Sequence, residues 1–499
     1  LSILYHKNSG KSAGYGEMAS AAANIPVPEE VTLKEIKDYK IIGTSRKNVD
    51  GKKIVTGQPL FGLDYQREGM LIAMIAHPPA FGMKLKSFDA SAAKAMPGIK
   101  DVFQINTYHD DYTLQWSDVS TYPDLVAVVG NTTWEVMKAK ESLKLEWMLA
   151  GEVDKNAGSA LENTKGHKEL MREMETKPAQ VKRQDGDPQK AFKKAAKIIE
   201  RTYTCPFLAH NTMEPMNFFA NVTDERAELA GPTQTPEFME KTVAARLGLP
   251  LDKVDIAMTR MGGGFGRRLY GHFLVEAAVI SKTVQAPVKL VYNREDDMTF
   301  GIYRPAYLAT YRAGIDENNN LIAFHVKAGG IPESPLFADR FPAGAVENYL
   351  AEEWTAKSNV SVGAFRAPRS NFIAGAEQSF LDEVAEEMGK DPIDFRLELL
   401  EKAKKNPVGE NNDYVAERYA GVLELVKEKS NWGADQPDHY RGVSAYYCHD
   451  SYVAQVLDMV MKDGSPVVDK VYCAIDCGIV VNPDAATNMA EGGIVDGIG

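Results

Sequence analysis

Eight residues near the middle of the chain, Met261 to Arg268 (MGGGFGRR), restrict the backbone more than any other segment. A strand-like run, Val254 to Thr259, precedes them, and a helix-like run, His272 to Val284, follows. Closely spaced glycines allow a tight turn and can direct successive amides toward an anion. The helix N-terminus and two arginines add positive charge. The segment therefore predicts a strand–loop–helix unit that binds a phosphate-bearing cofactor.

Two other interpretations fit the same residues. One is an ordinary glycine turn between a strand and a helix, since short motifs often match by chance. The other is a nicotinamide dinucleotide site, although the spacing is G-G-G-x-G rather than G-x-G-x-x-G. An acidic pair, Glu295 and Asp296, follows the next predicted strand, Val288 to Tyr292. An NAD(P)-dependent oxidoreductase therefore stays open as an alternative.

Composition excludes several classes of protein. The chain has 499 residues and a formal net charge of -12, and it has no Lys/Arg-rich run of the kind that binds nucleic acid. No apolar run reaches the roughly 20 residues of a membrane span. Residues 1–16 are polar and do not have the pattern of a signal peptide. The sequence does not decide between cytoplasm and periplasm.

Cysteine usage argues against an iron–sulfur centre within this chain. The four cysteines contain no C-x-x-C pair and are Cys205, Cys448, Cys473 and Cys477. A [2Fe–2S] centre normally takes four thiolates at set spacings. Any such cluster is therefore expected on a partner.

The pattern of apolar residues divides the chain into four parts. Residues 1–50 form an initial segment with a linker, and residues 51–150 form a compact α/β unit of alternating strands and helices. Residues 151–200 are a charged connecting segment, and residues 201–499 mix strands and helices. The last part contains two predicted hairpins, 310–328 and 455–474, and a predicted amphipathic helix, 374–388.

Eight motifs occur in an order that is typical of one family. They are Thr56–Asp64, His210–Met216, Pro232–Thr235, the glycine-rich loop, Arg294–Met298, Gly363–Arg369, Asp476–Pro483 and Glu491–Ile494. Together they resemble the molybdenum-binding large subunit of the xanthine oxidase family. Within it the resemblance is greatest to the isoquinoline 1-oxidoreductase beta subunit and its aldehyde dehydrogenase relatives.

This resemblance implies an α+β fold. Residues 51–150 would be an aldehyde oxidase/xanthine dehydrogenase-like α/β hammerhead domain, and 201–499 a molybdopterin-binding domain. It also implies an oxidoreductase that hydroxylates an aldehyde or N-heteroaromatic substrate with water as oxygen donor. The implied cofactor is molybdopterin, with the cytosine dinucleotide form as a candidate. The implied partners are a small [2Fe–2S] subunit and, as a further candidate, a cytochrome subunit.

The motif matches also imply roles for particular residues. Gln234 matches a glutamine that hydrogen-bonds an apical metal oxygen, and Arg366 would bind cofactor phosphate or polarise substrate. The implied cofactor-binding residues are Gly263, Gly264, Phe265, Gly266, Arg267, Ala364, Phe365 and Arg366. No residue is implied as a direct metal ligand. A surface glutamine and a salt bridge at the rim remain the alternatives for Gln234 and Arg366.

Two acidic motifs are better interpreted as structural. His210 and Glu214 form an H-x-x-x-E motif, but no further His or Cys stands at zinc-like spacing. Asp296 and Asp297 are typical of a turn or helix cap. We therefore expect no metal site at either motif.

Some family features are not found in the sequence. The general-base glutamate of a Gly-Glu-Pro-Gly-like segment is absent, and so is a Gly-Gln-Gly loop; the last predicted domain is therefore expected to be C-terminally incomplete. Met489 stands where the family commonly has a cofactor-binding glutamine, and Leu269 where purine hydroxylases have a glutamate. We therefore expect the 499-residue chain by itself to lack molybdenum and be inactive. A degenerate paralogue that serves as an assembly or interaction partner remains an alternative.

Overall fold

We analysed the fold in a computed structural model, which describes residues 3–107, 124–149, 162–434 and 438–499. The chain divides into two compact units. One consists of Leu1–Asn48 with Ile479–Gly499, and the other of Val49–Gly478.

The helices and strands of the described residues are numbered along the chain. The strands are β1 (Ile3–Tyr5), β2 (Ser12–Gly14), β3 (Leu71–Ala76), β4 (Met83–Asp89), β5 (Ile99–Asn106), β6 (Asp124–Gly130), β7 (Lys144–Leu149), β8 (Gln180–Asp185), β9 (Lys197–Cys205), β10 (Asn217–Val222), β11 (Ala227–Gly231), β12 (Val254–Met258), β13 (Val288–Val291), β14 (Ala306–Ile315), β15 (Leu321–Ile331), β16 (Tyr349–Thr355), β17 (His439–Cys448), β18 (Ser451–Lys462) and β19 (Ser465–Asp476). The α-helices are α1 (Tyr15–Ala22), α2 (Gly51–Val55), α3 (Ser91–Lys94), α4 (Thr133–Glu141), α5 (Thr164–Thr176), α6 (Pro188–Lys194), α7 (Pro236–Leu247), α8 (His272–Val284), α9 (Arg294–Thr299), α10 (Ser370–Glu387), α11 (Pro392–Lys405), α12 (Ala416–Lys429) and α13 (Pro483–Ile498).

The smaller unit contains the β1–β2 hairpin, α1 and α13. The Gly43 N–H donates to the Val481 carbonyl over 3.0 Å, and the Asn482 side chain is bonded to both backbone groups of Arg46. Among its described residues none is buried. This unit is therefore held by hydrogen bonds and not by an apolar core of its own.

A seven-stranded mixed sheet supports the glycine-rich loop. Its strand order is β12-β11-β10-β13-β3-β6-β5, and β3 pairs in parallel with β13. The central strands are almost wholly apolar and buried, as expected for strands covered on both faces. Helix α8 packs on this sheet through Phe273, Leu274 and Ala277, which are fully buried. Because β12 and α8 flank the loop, the sheet and helix fix both of its ends.

The seven-stranded sheet crosses the domain boundary predicted near residue 150. Strands β3, β5 and β6 belong to the predicted 51–150 unit, whereas β10 to β13 belong to the part beyond 200. Lys140 of α4 also pairs with Asp296 of α9, with 2.6 Å between the charged atoms. The sheet thus does not end where the domain was predicted to end, and the four-part division remains a prediction.

A second sheet and three helices enclose the other large core. The sheet has the order β8-β16-β15-β14-β9, and its β14–β15 pair is the predicted hairpin. Helices α10, α11 and α12 cover it with apolar side chains such as Phe380 and Leu423, both fully buried. Strands β17 to β19 form a third, antiparallel sheet that adds Ala454 and Val456 to the same core. In the described residues no helix is long and apolar enough to cross a membrane.

One carboxyl group lies inside this core. Glu377 of α10 is only 7% exposed, and its Oε1 accepts a 3.1 Å hydrogen bond from the Gln378 side chain. Burial raises the pKa of Glu377 to about 8, against the opposing effects of that hydrogen bond and the charges of Arg396 and Arg340. The side chain is therefore a neutral acid in the folded protein near pH 7.

Candidate functional site

The predicted strand–loop–helix unit is present. Strand β12 ends at Met258, the loop follows, a short 3-10 turn spans Arg267–Leu269, and α8 begins at His272. Gly263 and Gly266 have φ angles of 97° and 101°, in the region that favours glycine. Phe265 also has a positive φ, 53°, and the residue is 38% exposed. The loop thus carries an exposed phenylalanine on a backbone that few side chains permit.

The glycines allow the loop to approach other protein segments. A Cβ atom on Gly266 would lie 2.0 Å from the Ala364 carbonyl oxygen. One on Gly264 would lie 2.6 Å from Gln234 Oε1, and one on Gly262 would lie 2.5 Å from Glu214 Cβ. All three distances are below van der Waals contact. These glycines are therefore required for packing within the protein, whether or not they also approach a ligand.

The two arginines of the loop face inward. Arg268 is fully buried and donates from Nε to the Gly263 carbonyl over 2.8 Å and from Nη2 to the Glu214 carbonyl over 2.6 Å. Arg267 is 1% exposed and donates to the Phe300 carbonyl over 2.7 Å. The expectation that both charges face a bound anion is thus corrected, because the guanidinium groups hold the loop from within. A contact between Arg267 and a cofactor remains a prediction.

Glu214 connects the loop to two other segments. Its carboxylate accepts hydrogen bonds from the backbone N–H of Gly262 over 2.7 Å and of Leu63 over 3.0 Å. The Asn217 side chain donates to it over 3.0 Å, and Arg268 Nη2 lies 3.6 Å away. Three hydrogen bonds and a nearby guanidinium occupy most of the acceptor sites of this carboxylate. The structural interpretation of the H-x-x-x-E motif is consistent with this geometry, and no metal-binding cluster occurs among the described residues.

His210 positions the neighbouring strip, Gly363 to Arg366. Its Nε2 lies 2.8 Å from the Ala364 carbonyl oxygen, so Nε2 carries the proton. Burial lowers the pKa of His210 to about 4, which keeps the ring neutral near pH 7. The ring also packs against Phe365, with 4.8 Å between the centroids.

Further contacts join the strip to the loop. The Arg366 N–H donates to the Phe265 carbonyl over 2.8 Å, and the Ala364 N–H donates to the Tyr270 hydroxyl over 3.1 Å. The Arg366 guanidinium lies 5.7 Å from the centre of the Phe265 ring. The structure therefore brings together the two segments that the sequence analysis assigned to the cofactor.

Gln234 lies under the loop in a fixed orientation. Its Oε1 accepts hydrogen bonds from the backbone N–H of Gly266 and of Arg268, each over 3.2 Å. Its own backbone N–H donates to the Arg268 carbonyl over 3.0 Å. The side-chain NH₂ group of Gln234 donates to no described residue. The loop therefore fixes the carboxamide and leaves its donor group available.

Three consecutive loop amides are also available. The N–H groups of Gly263, Gly264 and Phe265 donate to no partner among the described residues, whereas the flanking amides of Gly262 and Gly266 are bonded within the protein. Backbone amides that are left together in this way form a concavity for an anion. Together with the Gln234 NH₂ group, they supply neutral donors that suit the oxygen and sulfur atoms of a molybdopterin. The residues present thus fit the implied cofactor.

Some roles were not foreseen from the sequence. The Tyr270 hydroxyl accepts from Ala364 of the strip, and the Phe300 carbonyl accepts from Arg267 of the loop; neither residue belongs to a motif that was singled out. Their contacts depend on tertiary distances that no spacing rule gives. Met489 and Glu491 lie on α13, in the smaller unit, where Met489 is 66% exposed.

Comparison with known proteins agrees with the site. Residues 172–400 match the molybdopterin cofactor-binding domain. The chain is 28% identical to the membrane-bound aldehyde dehydrogenase [pyrroloquinoline-quinone] of Gluconacetobacter polyoxogenes, covering 98% of this chain and 66% of the relative. It is 26% identical to the beta subunit of isoquinoline 1-oxidoreductase of Brevundimonas diminuta, covering 99% and 67%. It is also 26% identical to the nicotinate dehydrogenase large molybdopterin subunit of Eubacterium barkeri, covering 79% and 96%.

Solved structures show the same fold. The aldehyde oxidoreductase of Desulfovibrio gigas superposes with a TM-score of 0.62 at 18% identity, over 87% of this chain and 53% of that one. The predicted α+β class is thereby confirmed. The chain spans about two thirds of the aldehyde dehydrogenase and isoquinoline relatives and about half of this structural neighbour. Residues 172–400 match a molybdopterin cofactor-binding domain, and the glycine-rich loop and the strip beside it both lie within this range.

Proposed function

We propose that this chain is the molybdopterin-binding part of an oxidoreductase that hydroxylates an aldehyde or an N-heteroaromatic compound, with water as oxygen donor. The observation that carries the proposal is the set of available donors at the loop: three successive backbone amides and the NH₂ group of Gln234. When bound, the cofactor would supply two-electron oxidation at its metal. The chain's own residues would hold it and shape the pocket for the substrate.

Five of the predicted site residues have a part in this proposal. Gly263, Gly264 and Phe265 would donate backbone hydrogen bonds, and Gln234 would donate from a carboxamide that the loop fixes in place. Phe265 would present an apolar ring to the substrate, because its side chain is exposed. Arg366 would keep its charge beside that ring. Fixed donors of this kind stabilise developing charge without reorganising during the reaction.

Partners and the form of the cofactor belong to the same proposal. Two relatives are named as subunits, one a beta subunit and the other a large molybdopterin subunit, which favours a complex of more than one chain. A small [2Fe–2S] subunit would accept the electrons, and a cytochrome subunit is a further candidate. The cytosine dinucleotide form of molybdopterin is proposed on the resemblance alone.

The relatives do not favour the nicotinamide alternative, and half of its acidic pair is unsuited to a ribose. Glu295 is exposed, but Asp296 is 4% exposed and forms a capping box at the start of α9. Its carboxylate also pairs with Lys140. A buried and paired carboxylate has no oxygen to offer a ribose hydroxyl. The relatives likewise do not favour a non-catalytic paralogue, since their names describe dehydrogenases and an oxidoreductase.

A cofactor assay tests the proposal. The chain would be tagged in its native host and purified with whatever it binds, and molybdenum would be measured by mass spectrometry alongside pterin fluorescence after oxidation. We expect close to one molybdenum per chain in the assembly purified from the host, and none in the 499-residue chain by itself. Gln234→Glu keeps the oxygen that anchors the loop but replaces the donor by a negative charge, so molybdenum and pterin should fall together. Gln189→Glu, at an exposed glutamine outside the eight motifs, is the matched control. An assembly with neither molybdenum nor pterin would refute the proposal.

A further inference from the structure

The charge of Arg304 is not compensated by the protein. This residue lies between α9 and β14, and its side chain is half-buried. Its Nη2 donates to the Pro206 carbonyl over 3.0 Å, and its buried Nε has no hydrogen-bond partner. Within the described ranges it forms no salt bridge with a carboxylate. A half-buried cation with a buried, unsatisfied donor and no carboxylate partner among the described residues is a candidate for completion by a ligand.

The backbone of Arg304 is fixed on two sides. Its N–H donates to the Leu208 carbonyl over 2.8 Å, and its carbonyl accepts from the Leu208 N–H over 3.3 Å. The preceding residue, Tyr303, forms a parallel bridge with Val362, which leads into the strip. The backbone at Arg304 is therefore anchored to Leu208 and, through Tyr303, to the segment that leads into the strip.

The guanidinium group of Arg304 lies beside the strip. Its carbon is 5.8 Å from the centre of the Phe365 ring, and that ring packs against the neutral His210. The carboxylates nearest the loop are already bonded elsewhere: Glu214 to Gly262 and other donors, and Asp297 to the Met216 N–H and to Arg294. No acidic group of these segments is left to pair with Arg304.

Arg312 provides a contrast within the same strand region. Its guanidinium also lies over a phenylalanine ring, that of Phe192, at 4.8 Å. Unlike Arg304, it has a carboxylate partner, because its Nε is 2.8 Å from Glu200. The Nε atoms of both arginines lack a hydrogen bond of good geometry, so the two differ in charge partner alone: Arg312 has Glu200, and Arg304 has no carboxylate among the described residues.

We propose that Arg304 binds an oxyanion on the Phe365 side of the site, either a carboxylate carried by the substrate or a phosphate carried by the cofactor. The planar guanidinium fork matches both groups, and its Nε is available for one of the two hydrogen bonds. This inference rests on the proposed function for the nature of the ligand. It adds a residue outside all eight motifs to the site.

Titration of the ligand-free 499-residue chain tests this proposal. Benzoate, benzamide and inorganic phosphate would be titrated calorimetrically at equal ionic strength into four proteins: the unmodified chain, Arg304→Met, Arg304→Lys and Arg312→Met. We expect an oxyanion to bind the unmodified chain and Arg312→Met alike, and benzamide to bind neither. Arg304→Met should weaken oxyanion binding by about tenfold or more, and Arg304→Lys by less.

The choice of probe identifies the source of the oxyanion. Binding of benzoate indicates a substrate carboxylate, binding of phosphate alone indicates the cofactor, and both outcomes support the proposal. The proposal is overturned if neither anion binds, or if Arg304→Met binds as well as the unmodified chain.

Melting temperature supplies a second measurement. Arg304→Met removes a charge without a carboxylate partner, so the melting temperature should stay unchanged or rise. A fall that Arg304→Lys restores, with no change in anion binding, would show a structural role and sink the inference. Since none of these readouts needs molybdenum, they can fail while the cofactor assay succeeds.

Discussion

Glu377 makes the stability of the second core depend on pH. The perturbation we consider is Glu377→Gln, which keeps the shape of the side chain and removes its ionisation. In the folded protein the carboxyl lies among the sheet and α10 to α12, and it accepts a hydrogen bond from the Gln378 side chain over 3.1 Å. The charged and titratable groups that act on it come from several elements: Tyr311, Tyr349, Tyr419, Tyr446, Arg340 and Arg396.

The magnitude follows from the shift in pKa. Burial moves the pKa of Glu377 from 4.5 to about 8, and each unit corresponds to about 1.4 kcal/mol, so the full effect is on the order of 5 kcal/mol. Because the folded state holds the proton more tightly, the folded protein binds more protons than the unfolded chain between these values. The free energy of unfolding therefore falls as the pH rises from 4.5 to about 8, and changes little above that.

Urea unfolding at a series of pH values measures this effect. The urea midpoints of the unmodified chain and of Glu377→Gln would be compared from pH 5 to pH 9. Midpoints are used instead of extrapolated free energies, because the extrapolation requires two-state unfolding, which is not assured for a chain of 499 residues. The new amide donors cost a constant of about 1–3 kcal/mol, and this offset is the same at every pH. The deciding quantity is the urea midpoint of Glu377→Gln minus that of the unmodified chain. This difference should increase as the pH rises, because only the unmodified chain loses stability.

A control on the same helix separates ionisation from helix effects. Glu387 is paired with Lys197, which lowers its pKa, so Glu387→Gln should show no gain in relative stability above pH 8. If the midpoint difference between Glu377→Gln and the unmodified chain stays constant from pH 5 to pH 9, Glu377 is not a neutral acid in the folded state, and the reasoning is refuted.

Two further predictions concern the loop. Gly266→Ala should lower the free energy of unfolding by roughly 3 kcal/mol or more, and the melting temperature with it, because φ is 101° and the added Cβ would lie 2.0 Å from the Ala364 carbonyl oxygen. The control, Gly442→Ala, should be close to neutral, because a Cβ there meets nothing within 4 Å. Equal effects of the two changes would contradict the packing argument. Glu214→Gln should cost about 3–5 kcal/mol in chemical unfolding, because it removes the carboxylate that lies 3.6 Å from the buried Arg268 and leaves only the charge of Asp297 to oppose it. A loss below about 1 kcal/mol would show that the pair is not needed.

Local sequence signals predicted the elements that flank the site. The strand before the loop, the helix after it, the β14–β15 hairpin and α10 all occur where apolar periodicity and turn residues placed them. These signals work because each element buries one apolar face, which leaves a regular pattern in the chain. The pairing of β3 with β13 has no such signal, because the two strands, Leu71–Ala76 and Val288–Val291, are far apart along the chain.

The site itself was only partly predictable. Motif order brought the loop, Gln234 and the strip into one site, and the structure places them in contact. The inward orientation of Arg267 and Arg268 was not foreseen, because sequence gives the charge of a side chain but not the direction in which the backbone turns it. Arg304 was missed for a related reason: its interest lies in what it fails to contact, and only three-dimensional neighbours reveal that.

The sheet shared between the two halves of the larger unit limits how this protein can be recombined. A chimera that takes residues 51–149 from a relative must rebuild the parallel β3–β13 ladder and the Lys140–Asp296 pair, each of which has one half on either side of the junction. Exchange of the two halves together preserves those contacts. Segment exchanges that aim to change substrate preference should therefore replace the strands before and after this junction together.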